Sequence, residues 1–231
     1  MIIDSHNEQS QGIKVSFLNQ LKSQASALQS AHSVDLAQHQ ANTRLSEAAA
    51  TTIWLYVAEL ARQLNVIAPA GPRLSLTNKT PWPAMKLVDF QVDARKKTLR
   101  NQEVFDYIAL GWCLVPQDGA PVAGSVSANF PPDLQRIESR LAAGSVPHER
   151  VDVRHPEKNT LQAIRFDYTT QARASVSVSA AHDEATFTFR LANLQGFDVQ
   201  SASYPAAQIQ APLLDELAKL IVGQASRFAT H

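Results

Sequence analysis

A run without glycine or proline extends from Ile13 to Ala68 and is rich in alanine, glutamine, leucine and serine. Because glycine and proline are the residues that most often end a helix, such a run predicts helix. Beyond it, apolar and polar residues alternate, which is typical of strands with one buried face. The sequence therefore predicts an α+β fold. A long N-terminal helical segment is followed by a mainly antiparallel β-sheet with one helix-covered face, a short middle helix and a C-terminal helix.

The helical segment is assigned to residues 16–68, with Ser16 as N-cap, after a flexible polar leader at residues 1–15. It carries two apolar stripes with three- and four-residue spacing. The first comprises Leu18, Leu21, Ala25 and Leu28, and the second comprises Leu45, Ala49, Ile53, Tyr56, Leu60 and Leu64. An unbroken helix over residues 17–64 would be about 72 Å long. The polar middle favours two helices, or one helix with a bend near Ser30 to Ser33, and the alternative is one continuous helix that projects as a dimerisation arm.

Residues 72–224 are assigned to the sheet and two helices, which form one domain with the helical segment. Apolar positions alternate with polar ones such as Ser175, Ser177 and Thr188. This pattern predicts one solvated sheet face and one face packed against helices. Residues 116–130 are interpreted as a loop, and the glycines of the chain are interpreted as turn and cap residues.

Composition limits the classes of function. Lys+Arg and Asp+Glu both number 21, so no overall field attracts nucleic acid or an anionic membrane. Cys113 is the single cysteine and the N-terminus lacks a secretion signal, which favours the cytoplasm. Apolar stretches long enough to cross a bilayer are absent from the sequence. The Ala-, Ser- and Gln-rich helical start is typical of bacterial proteins. No cofactor is expected, because neither a P-loop nor a dinucleotide fingerprint occurs.

One weak metal-ligand pattern lies in the helical segment. His32, Asp35 and His39 recur at spacings of three and four, so they share a helix face and could hold a divalent cation. A third ligand and the glutamate of helical zinc motifs are not recognisable. We therefore assign no metal site and interpret this face as solvated.

A candidate ligand site follows from one carboxylate and a group of cations. Asp106 falls in register with apolar residues of a predicted strand, where an unpaired carboxylate costs several kcal/mol. It is therefore either paired or a functional acid. Basic residues cluster in the predicted loop before that strand, and aromatic residues follow Asp106 in the same strand. The candidate ligand-binding residues are Arg95, Lys97, Arg100, Asp106, Tyr107 and Trp112.

Three hypotheses of function remain. The preferred one is a binding or assembly protein without catalysis, whose N-terminal helices serve self-association or docking of another protein. The second is a small-molecule binder or enzyme with a pocket between sheet and helices near Asp106. The third, nucleic-acid or phosphate binding through the basic loop Arg95–Arg100, is disfavoured because no aromatic platform accompanies the charges.

Overall fold

The computed structural model describes residues 8–228, and within the first helix the side chains of residues 8–16, 31 and 32 are outside that description. The elements in chain order are α1 (Glu8–Ile67), β1 (Met85–Leu99), β2 (Gln102–Pro116), β3 (Ala123–Ala128), α2 (Pro131–Ala143), β4 (His148–Arg154), β5 (Leu161–Thr169), β6 (Ala172–Ala181), β7 (Thr186–Ala192), β8 (Val199–Pro205) and α3 (Ala211–Ile221). A short 3-10 turn, Ala206–Gln208, precedes α3. The predicted α+β class is confirmed.

Helix α1 is one continuous helix of 60 residues, so the continuous alternative is the one observed. It begins at Glu8, before the predicted start at Ser16, and residues 1–7 of the predicted leader lie outside the described part. Every described side chain from Phe17 to Gln38 is exposed. We call residues 17–38 the arm. At ~1.5 Å per residue the arm is about 33 Å long.

The second half of α1 packs against the sheet. Its buried residues follow the three- and four-residue spacing of one helix face, which is why one stripe can be removed from water along several turns. They include Ala50, Ile53, Val57, Ala61 and Leu64, each at most 4% exposed. Leu45, which the sequence pattern placed in the same stripe, is 44% exposed because it lies outside this face.

The strands form two antiparallel sheets. The larger has the order β1-β2-β6-β7-β8 and the smaller has the order β3-β5-β4. In the larger sheet, Val176, Val178 and Phe189 are buried on the face that α1 and α3 cover. Ser179 and Thr188 are exposed on the opposite face. The predicted division into a solvated face and a covered face therefore describes this sheet.

Strand β3 corrects the prediction of a loop over residues 116–130. Its six residues, Ala123–Ala128, pair with β5, and Gly124 lies opposite Tyr168. A Cβ atom on Gly124 would lie 2.6 Å from the Tyr168 ring, so this glycine permits the close approach of the ring and does not mark a turn. The small residues of β3 have low strand propensity, and the pairing with β5 overrides it.

A single cluster of buried residues joins both sheets to the helices. Helix α2 contributes Ile137 and Leu141, and α3 contributes Leu214 and Leu217. The Pro81–Pro83 corner places Trp82 in a parallel stack on Tyr168, with ring centroids 5.6 Å apart. This contact attaches the segment before β1 to the smaller sheet. In the described part of the chain, helices are either too short or too polar to cross a membrane.

Candidate functional site

The predicted acid, Asp106, is held by two cations from the neighbouring strand. Arg95 donates from Nε and Nη2 to Asp106 Oδ2 at 3.0 and 2.7 Å, and Lys97 Nζ lies 2.9 Å from Oδ1. The hydrogen bonds from Lys97 and then Arg95 lower the pKa of Asp106. The carboxylate is therefore an ionised partner in a three-residue cluster.

Backbone irregularity explains the position of Asp106. Arg95 pairs with Tyr107 and Lys96 pairs with Phe105, so Asp106 is the extra residue of a bulge in β2. A bulge turns the side chain out of the regular alternation of the strand. Asp106 is in register with apolar residues in the sequence, but the bulge allows its side chain to reach Arg95 and Lys97 of β1.

The basic residues are not in a loop, which corrects the sequence interpretation. Arg95 and Lys97 lie within β1, and only Arg100 and Asn101 form the turn between β1 and β2. Both turn residues have positive φ, 50° and 61°, as a tight two-residue hairpin turn requires. Strand pairing extends this far because cross-strand ion pairs with Asp106 stabilise the polar end of the hairpin.

The remaining predicted ligand residues are in different places. Tyr107 is half-buried opposite Arg95, whereas Trp112 is 3% exposed in the core. Trp112 stacks on Phe90 with ring centroids 5.3 Å apart. Six residues along a strand correspond to about 20 Å, so Trp112 is remote from Asp106. The structure thus brings together Arg95, Lys97, Asp106 and Tyr107, but neither Trp112 nor Arg100.

Arg100 belongs instead to a polar cluster where the arm joins the body. It donates from Nη1 to Thr43 Oγ1 at 3.0 Å and forms an ion pair through Nη2 with Asp183 in the β6–β7 turn. Asn42 Nδ2 donates to the Asp183 carbonyl oxygen at 2.5 Å, and His39 Nδ1 lies 3.7 Å from Asp183 Oδ1. We call these residues the arm-root cluster. It fixes the direction in which α1 leaves the sheet.

The histidine pattern does not assemble a metal site among the described side chains. The His32 side chain lies outside the described residues, and Asp35 is exposed on the arm. His39 faces Asp183, as described above. Groups of three or more His, Cys, Asp or Glu side chains suited to a metal ion do not occur in the part of the chain whose side chains are described.

We expect the arm-root cluster to be sensitive to acid. The hydrogen bond from Arg100 lowers the pKa of Asp183, and the charges of His39 and His182 act in the same direction. A lowered folded-state pKa gives a contribution to stability that is complete above the ordinary aspartate pKa, about 3.9, and is lost as the pH falls through the folded value. Asp183→Asn should therefore lower the urea midpoint at pH 7, and the midpoints of the variant and the wild type should converge as the pH falls through the folded-state pKa of Asp183.

The control is Asp118→Asn, which removes the same charge from an exposed loop. Urea unfolding followed by circular dichroism at several pH values measures both variants. If Asp118→Asn reproduces the pH dependence of Asp183→Asn, the effect comes from the loss of one negative charge and not from the arm-root contacts.

A cavity of about 390 Å³ lies on the solvated face of the larger sheet. We call it the sheet-face cavity. Gly111 of β2 forms part of its floor, and an added Cβ atom there would meet nothing within 4 Å. The other lining residues are Asp89, Gln91, Trp112, Cys113, Ala143, Ser145, Arg173, Ala174, Ser175, Arg190, Ala192, Asn193 and Val199. The missing side chain at Gly111 leaves space that neighbouring side chains surround.

Sequence reasoning missed this cavity. Gly111 was among the glycines interpreted as turn and cap residues, but it lies inside β2, paired with Gln91 on one side and Ser175 on the other. A glycine inside a strand often marks a place where another group approaches closely. That signal, together with arginines on a serine-rich strand face, could have indicated the cavity.

The fold and this geometry define a two-sheet α+β protein with a projecting helix and a polar cavity on its open sheet face. No family model matches the chain, and no curated protein or solved structure shows significant similarity to it. The arm, the arm-root cluster and the sheet-face cavity are the features of the structure that bear on function.

Proposed function

We propose that this is a non-catalytic assembly protein of the cytoplasm, in which two copies associate through their arms. The observation that carries the proposal is an apolar stripe on the arm that no other described part of the chain covers. Phe17, Leu18, Leu21 and Leu28 are 61, 52, 44 and 73% exposed. Contiguous exposed apolar surface of this kind often marks a site of contact with another protein.

A second copy is the occupant that best suits this stripe. The arm carries only Lys22 and Asp35 as formally charged residues, so two arms neither repel each other nor attract a highly charged partner. Leu21 and Leu28 are one heptad apart and lie within about 20° of each other around the helix axis. An identical arm supplies the matching stripe for a two-helix seam.

The size of the stripe limits the affinity. A contact about 33 Å long and roughly 10 Å wide would bury on the order of 700 Å² in total. Stable specific interfaces bury about 1,200–2,000 Å². We therefore expect a reversible dimer at micromolar concentrations.

Sedimentation velocity of the full chain from about 1 to 100 μM tests the proposal. The wild type should shift from monomer to dimer, and Leu21→Glu/Leu28→Glu should remain monomeric, because burying carboxylates in an apolar seam costs several kcal/mol. Val34→Glu is the matched control, since Val34 is 66% exposed and lies about 120° around the helix from Leu28. It should dimerise like the wild type. A wild type that is monomeric throughout this range would refute the proposal.

A further inference from the structure

The sheet-face cavity contains charged groups without an ion-pair partner among the described residues. Among the side chains that the structure describes, neither the Arg173 nor the Arg190 guanidinium makes an ion pair or hydrogen bond to another residue. The Asp89 carboxylate accepts a hydrogen bond from Gln91 Nε2 at 3.0 Å and lies 3.9 Å from Cys113 Sγ, without a cation partner. By contrast, Arg95, Arg150 and Arg165 all pair with carboxylates.

The opposite charges lie on different sides of the cavity. Cys113 of β2 pairs with Val88, the neighbour of Asp89, on one side and with Arg173 on the other. Since adjacent strands are about 4.8 Å apart, the backbones at Asp89 and Arg173 are roughly 10 Å apart. Arg190 is on β7, one strand beyond β6, and pairs with Ser177, four residues along β6 from Arg173. The cavity is therefore negative at its β1 end and positive at its β6–β7 end.

The walls of the cavity are fixed by the fold. Asn193, which is 2% exposed, donates from Nδ2 to the carbonyl oxygens of Ala143 and Arg173 at 2.7 and 2.8 Å. These bonds tie the end of α2 to the start of β6. Asp89 has φ of 57° in a bulge of β1, which turns its side chain towards Cys113. Both charged ends of the cavity are thus positioned by backbone features.

We propose that the sheet-face cavity binds a small zwitterionic metabolite. Its acidic group, a carboxylate or phosphate, contacts Arg173 and Arg190, and its protonated amine contacts Asp89. Guanidinium groups recognise both kinds of acid through paired N–H donors. The volume, about 390 Å³, is at the lower end of the range of roughly 300–1,000 Å³ for small-molecule sites. The inference is independent of self-association through the arm.

Cys113 provides a reporter inside the cavity, because it is the single cysteine of the chain. Burial and then the charge of Asp89 raise the pKa of its thiol, so alkylation is slow and the rate depends on access. We would measure the rate of alkylation by neutral iodoacetamide at pH 8.5 by mass spectrometry. Phosphoethanolamine is the probe, since it carries a phosphate and an amine.

At 10 mM, phosphoethanolamine should slow alkylation at least fivefold, inorganic phosphate should slow it less, and ethanolamine should have no effect. Arg173→Gln/Arg190→Gln should remove the protection. Arg44→Gln/Arg73→Gln, which deletes the same charge from exposed positions elsewhere, should retain it. No slowing by phosphoethanolamine would overturn the site. Equal slowing by phosphate alone would overturn the assignment of a zwitterion.

Gly111→Val distinguishes loss of the cavity from loss of the fold. Valine suits a strand, and an added Cβ meets nothing within 4 Å, so this variant should unfold at a temperature no lower than the wild type. Its side chain should fill the floor of the cavity and abolish the effect of phosphoethanolamine on alkylation. Full protection by phosphoethanolamine in a folded Gly111→Val variant would overturn the proposed location.

Discussion

Replacing Ile53 by alanine should lower the free energy of unfolding by about 2–5 kcal/mol. Ile53 is fully buried on the face of α1 that packs on the larger sheet. Truncation removes apolar contacts and leaves a cavity, because α1 is anchored on both sides of this position and cannot move into the space. Urea unfolding followed by circular dichroism measures the effect.

Leu55→Ala is the matched control in the same helix. Leu55 is 63% exposed, so its truncation should change the free energy of unfolding by no more than about 0.5 kcal/mol. Similar losses in both variants would contradict the orientation of α1. A large loss at Ile53 alone would also establish that α1 unfolds together with the sheet. Deleting the whole helix would then destabilise the entire protein, so it is a poor test of the arm.

Replacing Asn193 by alanine should cost about 3 kcal/mol, with a range of roughly 2–5. The variant loses both hydrogen bonds to the carbonyl oxygens of Ala143 and Arg173 at a position that is 2% exposed. In addition, Asn193 has φ of 62°, a left-handed conformation that asparagine tolerates better than alanine. The thermal midpoint and the urea midpoint should both fall.

Asn159→Ala separates the two contributions. Asn159 also has positive φ, 50°, but it is exposed and its side-chain amide makes no hydrogen bond within the described residues. Its replacement should cost about 1 kcal/mol, the backbone contribution alone. Equal losses at Asn193 and Asn159 would mean that the bonds to Ala143 and Arg173 contribute little. The cavity wall would then depend on other contacts.

Prediction from the sequence succeeded where the signal was local. The alternation at Val176, Val178 and Phe189 identified the covered face, because strand geometry sends successive side chains to opposite sides. It failed at residues 123–128, where Gly124 and small polar neighbours resemble a loop. The approach of the Tyr168 ring explains the glycine, and the pairing with β5 explains why these residues form a strand.

Prediction of the candidate site from the sequence was limited even more by its dependence on tertiary contacts. The sequence identified Asp106 as a carboxylate that needs a partner, and Arg95 and Lys97 satisfy that need. It placed Arg100 with them, whereas the turn directs Arg100 to Asp183, a residue 83 positions away. The spacing in the chain could not indicate this contact, since it depends on how the hairpin and the β6–β7 turn meet at α1.

The sequence by itself determined the class of fold, the presence of a long helix and the polar character of one sheet face. These follow from propensity and periodicity, which operate over a few residues. The tertiary structure decided that the strands divide into two sheets, that the arm projects, and that Gly111, Asp89, Arg173 and Arg190 surround one cavity. Strand order and bulges bring residues from distant parts of the chain together, and no local pattern encodes their distances.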